Sequence, residues 1–529
     1  MRRRATMAGL LAALTVGAAH GDAQPGGQAQ KATTDSTTAV RRLPRADLEN
    51  KIRGGWAGQM IGVSYGAPTE FVSNRRIIRF PLEWAPDRVS NALEQDDLYV
   101  EMTFAEVLDT VGLDATTEQF GEMFKDSKYS LWHANAAARQ LLNRGIEAPW
   151  SGHPRYNAHA NDIDFQIESD FIGLMTPGLP QVANEYADRV GRVMNYGDGL
   201  YGGLFVSGMY AAAFFETDPR KVVEAGVGSI PRGSGYAQVI RDLLDWSAEE
   251  PSDWKAVWRK LTDKWDRDDA CPAGALVDFN IDARINGAFI ALGLIYGNGD
   301  FAKTLEISTR AGQDSDCNPS SAAGILGVML GYDRIPTEFT AGIPKLADTK
   351  FEYTSYSLNA IVQSTAARAL KIVERAGGSV SATEIVVPVQ EPQAPALEQW
   401  DVDPPTARID SASGAWTWSN GWDVGSGPEG HLTSIDRPNG EATLQFHGTG
   451  VAIIGRYLEH GGRADVWLDG KQVGEIDAWQ VPRTYDNVYW HVTGLGSGSH
   501  TLLIRTRPDK NERSVGTTIA IEGAVIYGR

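Results

Sequence analysis

Cysteine is nearly absent: the 529 residues hold only two, Cys271 and Cys317. Two thiols cannot form a disulfide framework, and their spacing matches no zinc signature. Whether they meet is not written in the sequence. Positive charge is also short, with 49 Lys and Arg against 67 Asp and Glu and a formal net charge of −18. Such a surface repels nucleic-acid backbones and anionic membranes, which argues against general electrostatic binding to either, though not against a local basic pocket. The apolar run Met7–Ala19 follows Arg2, Arg3 and Arg4 and leads into Gly21-Asp22-Ala23. It is too short to span a bilayer and has the three-part form of a secretory signal peptide. The expectation is a chain without membrane insertion, secreted or periplasmic, with residues 1–23 removed.

What is present is enough for two folded cores. The length exceeds what one hydrophobic core supports, and 42% hydrophobic with 22% charged residues is ordinary for a globular chain. Residues 24–43, rich in Gln, Gly, Thr, Ser and Ala, read as a flexible leader. Leu48, Ile52, Trp56 and Met60 then recur every four residues and define a helix face. Gly54, Gly55, Gly58 and Gly62 stand in the same stretch. Glycine weakens a helix, so this many implies close approach of another helix or a ligand. Helical patterns continue to Ala376, and the spacing predicts an all-α domain over 44–376.

Beyond Gly377 the pattern changes. Residues 377–405, rich in Pro, Val, Glu and Ala, read as a linker or a chain lying along a surface. From 406 to 529 period-two runs alternate with turn signals, Asp469-Gly470 being a good hairpin turn. A jelly-roll-like β-sandwich of 406–529 fits. The fold class is multidomain, an all-α domain followed by an all-β sandwich.

Three acidic segments carry the chemistry. Gln95-Asp96-Asp97-Leu98 stands where a helix begins, so one Asp could cap the helix and both could meet its dipole. Gly312-Gln313-Asp314-Ser315-Asp316-Cys317-Asn318 also leads into a helix. Asp314, Asp316 and Asn318 mimic the start of an EF-hand loop. Pro319 then stands where that loop needs glycine and Ile325 where it needs glutamate, so it is not one. If the two loops converge, four carboxylates need a hard cation to offset their repulsion, and oxygen ligands favour magnesium, calcium or manganese over zinc. The third segment is Gly66-Ala67-Pro68-Thr69-Glu70, where a glutamate after a turn would ordinarily be solvated.

Taken together the chain resembles the ADP-ribosylglycohydrolases. Their pattern runs from a glycine-rich helix ending in Gly-Asp-Ala-Leu-Gly-x-x-x-Glu, through Thr-Asp-Asp-Thr, to a late Gly-Gly-Asp-Thr-Asp-Thr. Here the counterparts are Gly62–Glu70, Gln95–Leu98 and Gly312–Cys317, in the same order, and the resemblance covers most of residues 44–340. It implies an all-α fold with a pair of magnesium-type ions. Asp96, Asp97, Asp314 and Asp316 match the metal-ligand positions, with Gln95 and Cys317 as further candidates, and Glu70 matches the acidic residue near the scissile bond. Val63, Gln95, Leu98 and Cys317 depart from the pattern, three of them in place of threonines. The number of ions, one or two, and their identity, magnesium first and calcium or manganese next, therefore stay open.

Other segments offer substrate contacts. Gly197-Asp198-Gly199-Leu200-Tyr201-Gly202 satisfies G-x-G-x-x-G, but the preceding residues read as helix and no βαβ unit follows, so it is not a dinucleotide fingerprint. Gly197, Asp198 and Gly199 are then either a loop lining the substrate pocket or a turn between helices. The alternation Asp162, Asp164, Gln166, Glu168, Asp170 against Ile163, Phe165, Ile167, Phe171 reads as a short strand with one acidic face. Asp164 and Glu168 on that face are candidates for an active-site wall or an exposed edge. Trp132-His133 could add a stacking ring and a donor. The six tryptophans 416, 418, 422, 467, 479 and 490 could stack on sugars or pack a core, with no more than one or two expected at the surface. The sandwich resembles the galactose-binding type appended to secreted glycan enzymes, which implies a carbohydrate-binding accessory domain.

The function these features support is metal-dependent hydrolysis of a glycosidic bond, furanosyl by preference, in an extracellular glycan or glycoside. Glu70 would act as general acid or base, and the transition state would be oxocarbenium-like. The first alternative is hydrolysis of an ADP-ribosyl or nucleoside bond. The second is a non-catalytic sugar-binding protein. In each case the partner is a carbohydrate or a ribosyl-containing small molecule.

Overall fold

The computed structural model describes residues 39–529 other than 267–268, 401 and 428–429. The signal-peptide reading and most of the leader lie outside these residues. Helices fill the chain from Arg45 to Arg375, and strands fill it from Pro405 to Tyr527. Five helices matter to the site: α1 (Arg45–Gly66), α2 (Asp96–Thr110), α3 (His133–Asn143), α4 (Gly197–Ala213) and α5 (Cys317–Leu330). Among the described residues no helix is long and apolar enough to cross a membrane.

The glycines of α1 explain how this helical domain closes. Gly54, Gly58, Gly62 and Gly66 recur every fourth residue and so share one face. A Cβ at each would lie 2.1–2.2 Å from a backbone oxygen of Gly327, Ala323, Pro319 or Ser315, on α5 or the loop leading into it. The two backbones therefore touch along the whole of α5. This pairs the C-terminal end of α1 with the N-terminal end of α5, where Glu70 and the second aspartate pair stand.

The alternating segment around Asp162 is not a strand. It forms two short helices, Asp164–Ile167 and Asp170–Leu174, with Asp162 in an isolated bridge to Asp282. The alternation misleads because both sides of it are buried: Asp162, Asp164, Glu168 and Asp170 are each at most 6% exposed. A half-buried strand needs one solvated face, and this segment has none.

After the last helix, Glu384–Pro388 pairs with both Ser379–Val380 and Val40–Pro44 as the central strand of a three-stranded antiparallel sheet. The chain then crosses the helical surface, where the Tyr201 hydroxyl donates to the Ala396 carbonyl (3.1 Å) and Arg192 pairs with Glu398 (2.9 Å).

The C-terminal strands form two antiparallel sheets. One runs in spatial order Lys471–Asp477, Arg463–Leu468, Gly498–Thr506, Glu441–Gly448, Trp416–Trp418. The other runs Thr484–Val492, Gly450–Tyr457, Ile519–Tyr527, Gly430–Ile435, Asp423–Gly427, with Pro405–Asp410 also paired to Ile519–Tyr527. Leu444, Val466, Ile504, Ile453 and Ile521 belong to the core between them. The strand Gly450–Tyr457 is buried on both faces rather than one. The reason is a second apolar contact, in which Ala452, Ile454, Val525 and Tyr527 meet Ala275 of the helical domain. None of the six sandwich tryptophans is exposed. Trp416 and Trp418 stack at 5.0 Å and Trp422 meets Trp418 at 4.8 Å, so packing explains these three.

Candidate active site

The loop before α5 is shaped by its backbone. Gly312 and Gln313 both have positive φ (83° and 54°). Two left-handed residues in succession reverse the chain and bring Asp314 and Asp316 to the start of α5. The Gln313 side chain holds this turn, accepting from the Asn280 N–H (3.0 Å) and donating to the Asp278 carbonyl (3.0 Å). The backbone carbonyl of Gln313 accepts from the N–H of Phe71 (3.2 Å), which ties the residue after Glu70 to the aspartate loop. The Thr69 and Ser315 hydroxyls share a 2.7 Å hydrogen bond across the same junction.

The first pair comes from α2. Gln95 is the N-cap residue, and its side chain donates to Asn91 rather than capping the helix. Asp96 and Asp97 are the first two helical residues, where the helix dipole favours negative charge. The Cys317 sulfur joins the two pairs, 3.3 Å from Asp97 Oδ2 and 3.8 Å from Asp316 Oδ1. Ligand atoms of Asp314, Asp316 and Cys317 all lie within 4.8 Å of one another.

Crowding and burial act together on these carboxyls. Desolvation, then repulsion from Asp316 and Asp96, pushes Glu70 up to about 8, although the residue reaches solvent at the rim. Desolvation and Asp316 raise Asp96 to about 6. Asp97 and Asp314 are held well above the usual carboxylate range by burial and by their acidic neighbours. Asp97 Oδ1 and Asp314 Oδ1 are buried without a hydrogen-bond partner. Buried oxygens left unpaired amid repelling carboxylates are unfavourable unless a cation compensates them. The donor set is almost wholly oxygen, and the residues present fit a divalent cation. Burial and the surrounding aspartates raise the Cys317 thiol, which keeps it protonated.

These residues open onto a cleft of about 710 Å³. Glu70, Gln95, Asp96, His133, Asp164, Asp314 and Cys317 all line it. Asp164 also accepts from the N–H groups of Ala134 (3.2 Å) and Asn135 (2.8 Å), which orients the start of α3. Glu168 lies one layer behind, accepting from the Asn135 side chain. Gly197, Asp198 and Gly199 are not in the cleft lining. They open α4, and Asp198 accepts from the Tyr236 N–H (3.0 Å) and faces Arg284 at 4.0 Å. Trp132 stands at the cleft 55% exposed.

Four lining residues come from the sandwich domain: Arg408, Arg483, Thr484 and Asn487. Nothing in their local sequence marks them, because docking of one domain on the other places them there. Tyr99 is a further lining residue from α2. It sits one turn after Asp96, so the helical period could have marked it.

Residues 44–371 match the ADP-ribosylglycohydrolase family. A search of curated protein sequences returns no match. Among solved structures, an ADP-ribosylglycohydrolase-related protein complex is 12% identical with a TM-score of 0.39, covering 61% of this chain and 99% of that one. A two-domain esterase active on acetylated mannans is 12% identical with a TM-score of 0.21, over 32% of this chain and 46% of that one. The CBM36-1 domain of a multidomain xylanase from the hindgut metagenome of Trinervitermes trinervoides is 14% identical with a TM-score of 0.18, over 23% and 97%. The family match spans more than half of the chain and contains Glu70 and both aspartate pairs, so this protein belongs to the ADP-ribosylglycohydrolase family, as a hydrolase of glycosidic bonds.

Proposed function

We propose that the protein is an exported, magnesium-dependent glycoside hydrolase that cleaves a furanosyl bond in an extracellular glycan or glycoside. The observation that carries this reading is the place of Glu70, which lines the cleft beside Asp316 and Asp96, in the same cleft as the exposed ring of Trp132. Asp96, Asp97, Asp314 and Asp316 would hold the cation, which would supply positive charge to offset the aspartates and a binding point for vicinal sugar hydroxyls. The remaining steps belong to this chain's own groups. Trp132 and Tyr99 present aromatic surface to the sugar ring. Glu70, protonated, gives its proton to the leaving oxygen, and as a carboxylate it takes one from the attacking water. Carboxylates lining the cleft would stabilise the oxocarbenium-like transition state electrostatically. Asp164 acts through α3, which it orients.

One observation favours the alternative, an ADP-ribosyl substrate. Arg408 and Arg483 both line the cleft of an otherwise acidic protein, and guanidinium groups suit a diphosphate. The signal-peptide reading of residues 1–23 and the appended sandwich weigh toward the glycan.

The test is a panel of nitrophenyl furanosides and pyranosides, ADP-ribosylated protein and plant and microbial glycans, with and without chelator. Furanoside cleavage that needs magnesium and is lost in Glu70→Gln is the expected result. A Glu70→Gln variant with unchanged turnover removes the assigned role. Cleavage of ADP-ribosylated protein alone selects the alternative.

A further inference from the structure

Beside the aspartate site, four ligating side chains from three stretches of chain converge. His159 Nδ1 lies 2.9 Å from Asp162 Oδ2 and 3.2 Å from Cys271 Sγ. Cys271 Sγ lies 3.1 Å from the same Asp162 oxygen, and His133 Nδ1 lies 3.8 Å from it. All four atoms fall within 4.8 Å of one another. Around a tetrahedral zinc with bonds of roughly 2.0–2.3 Å, neighbouring ligand atoms stand about 3.3–3.8 Å apart. Four of the six pairs, at 2.9, 3.1, 3.2 and 3.8 Å, lie within a few tenths of an ångström of that spacing.

Hydrogen bonding alone accounts poorly for the arrangement. A single oxygen, Asp162 Oδ2, faces the thiol and both imidazoles, while Asp162 Oδ1 is buried with no partner at all. The same His159 nitrogen faces both Asp162 and Cys271, so this is not a relay in which the two ring nitrogens serve different partners. His133 is held in the left-handed region (φ 44°), where a non-glycine residue is strained, and that conformation starts α3 with its ring turned to the cluster. Three of the four side chains are at most 4% exposed and His133 is 21% exposed. One thiolate, one carboxylate and two neutral imidazoles would cancel the charge of a divalent ion, which a buried site requires.

We propose that His133, His159, Asp162 and Cys271 form a closed, four-coordinate zinc-type site distinct from the aspartate site. Imidazole and thiolate donors select a borderline metal where the carboxylates of Asp314 and Asp316 select a hard one. Four protein ligands leave no open position, so the role is structural rather than catalytic. The Cys271 stretch is also where the sandwich docks: the Tyr527 hydroxyl donates to the Ala270 carbonyl (3.0 Å) and Arg408 donates to that of Pro272 (2.7 Å). A metal there pins the docking stretch to α3, and with it the wall of the cleft. His133 then holds metal rather than substrate.

The test loads the full chain with cobalt chloride in excess magnesium and records its absorption spectrum. Intense visible bands of tetrahedral cobalt and a near-ultraviolet thiolate band are expected, with loss of the thiolate band in Cys271→Ser and retention in Asp97→Asn. No thiolate band in the wild type, or one that survives Cys271→Ser, overturns the proposal. X-ray absorption of the zinc-loaded Cys317→Ser chain in excess magnesium gives a second reading, with Cys271 as its single thiol. One sulfur at about 2.3 Å with nitrogen and oxygen neighbours supports the site, and nitrogen and oxygen alone refute it.

Discussion

Replacing Gly62 with alanine tests how the aspartate site is assembled. Alanine is the better helix former, and in isolation the change would stabilise α1 by about 1 kcal/mol. Its Cβ, however, would lie 2.2 Å from the Pro319 carbonyl oxygen, 2.5 Å from its carbon and 2.6 Å from Ser320 N. These are backbone atoms, so no side chain can swing aside, and α1 and α5 must separate by about 1 Å. Overpacking of this kind costs roughly 1–3 kcal/mol, and a gap of 0.5–1 Å forfeits about a quarter to a half of each dispersion contact along the seam. The helix gain is outweighed, and a net loss of about 2 kcal/mol is expected in urea unfolding followed by near-ultraviolet circular dichroism. The larger effect falls on activity. Glu70 follows α1 and Asp316 starts α5, so the separation moves acid and cation ligands apart, and a misplacement of about 1 Å can cost roughly 100-fold in turnover. Gly228→Ala is the control, since its Cβ meets only Pro392 at 3.7 Å and should cost nothing. A Gly62→Ala protein as stable and as active as wild type would show that the close approach is dispensable.

Other perturbations address the cleft and the domain seam. Trp132→Ala should raise KM about threefold to tenfold with kcat nearly unchanged, in line with about 0.5–1.5 kcal/mol for an aromatic contact. A KM that does not move removes the stacking role. His491 Nε2 donates to the Pro154 carbonyl (2.7 Å) across the seam, and burial lowers its ring to about 4. The unfolded chain takes up this proton near 6.5, before the folded one does, so the contribution is full above 6.5 and is lost as pH falls toward 4. The shift corresponds to at most about 3 kcal/mol, and to less here because the residue is only partly buried. Urea midpoints between pH 7 and 4.5 should show a steeper decline for wild type than for His491→Gln. Equal slopes would place the titration elsewhere.

Much of this arrangement is legible in the sequence where the cause is local. The four-residue apolar period of α1 and its glycines point to a tightly packed helix, and α5 is the partner. Asp96 and Asp97 begin α2 and Asp314 and Asp316 lead into α5, as their neighbours imply, and their order with Glu70 carries the family resemblance. Legibility fails where the cause is tertiary. The alternation from Asp162 to Phe171 looks like a strand because sequence cannot show that its polar side is buried too. Asp198 sits in a glycine-rich motif yet turns to Arg284, away from the cleft. Arg408 and Arg483 reach the cleft only because a sheet buried on both faces docks on the helices. Cys271 and His159 are 112 residues apart, a separation that matches no ligand motif.

The cation site is tested most directly by calorimetric titration of magnesium into chelator-treated full chain, wild type against Asp97→Asn and Asp316→Asn. Wild type should bind. Each variant should lose affinity by more than about tenfold, the loss that removing even an outer-shell partner can cause, and hydrolysis should fall in parallel. Equal magnesium affinity in all three proteins would contradict the assignment of the two aspartate pairs.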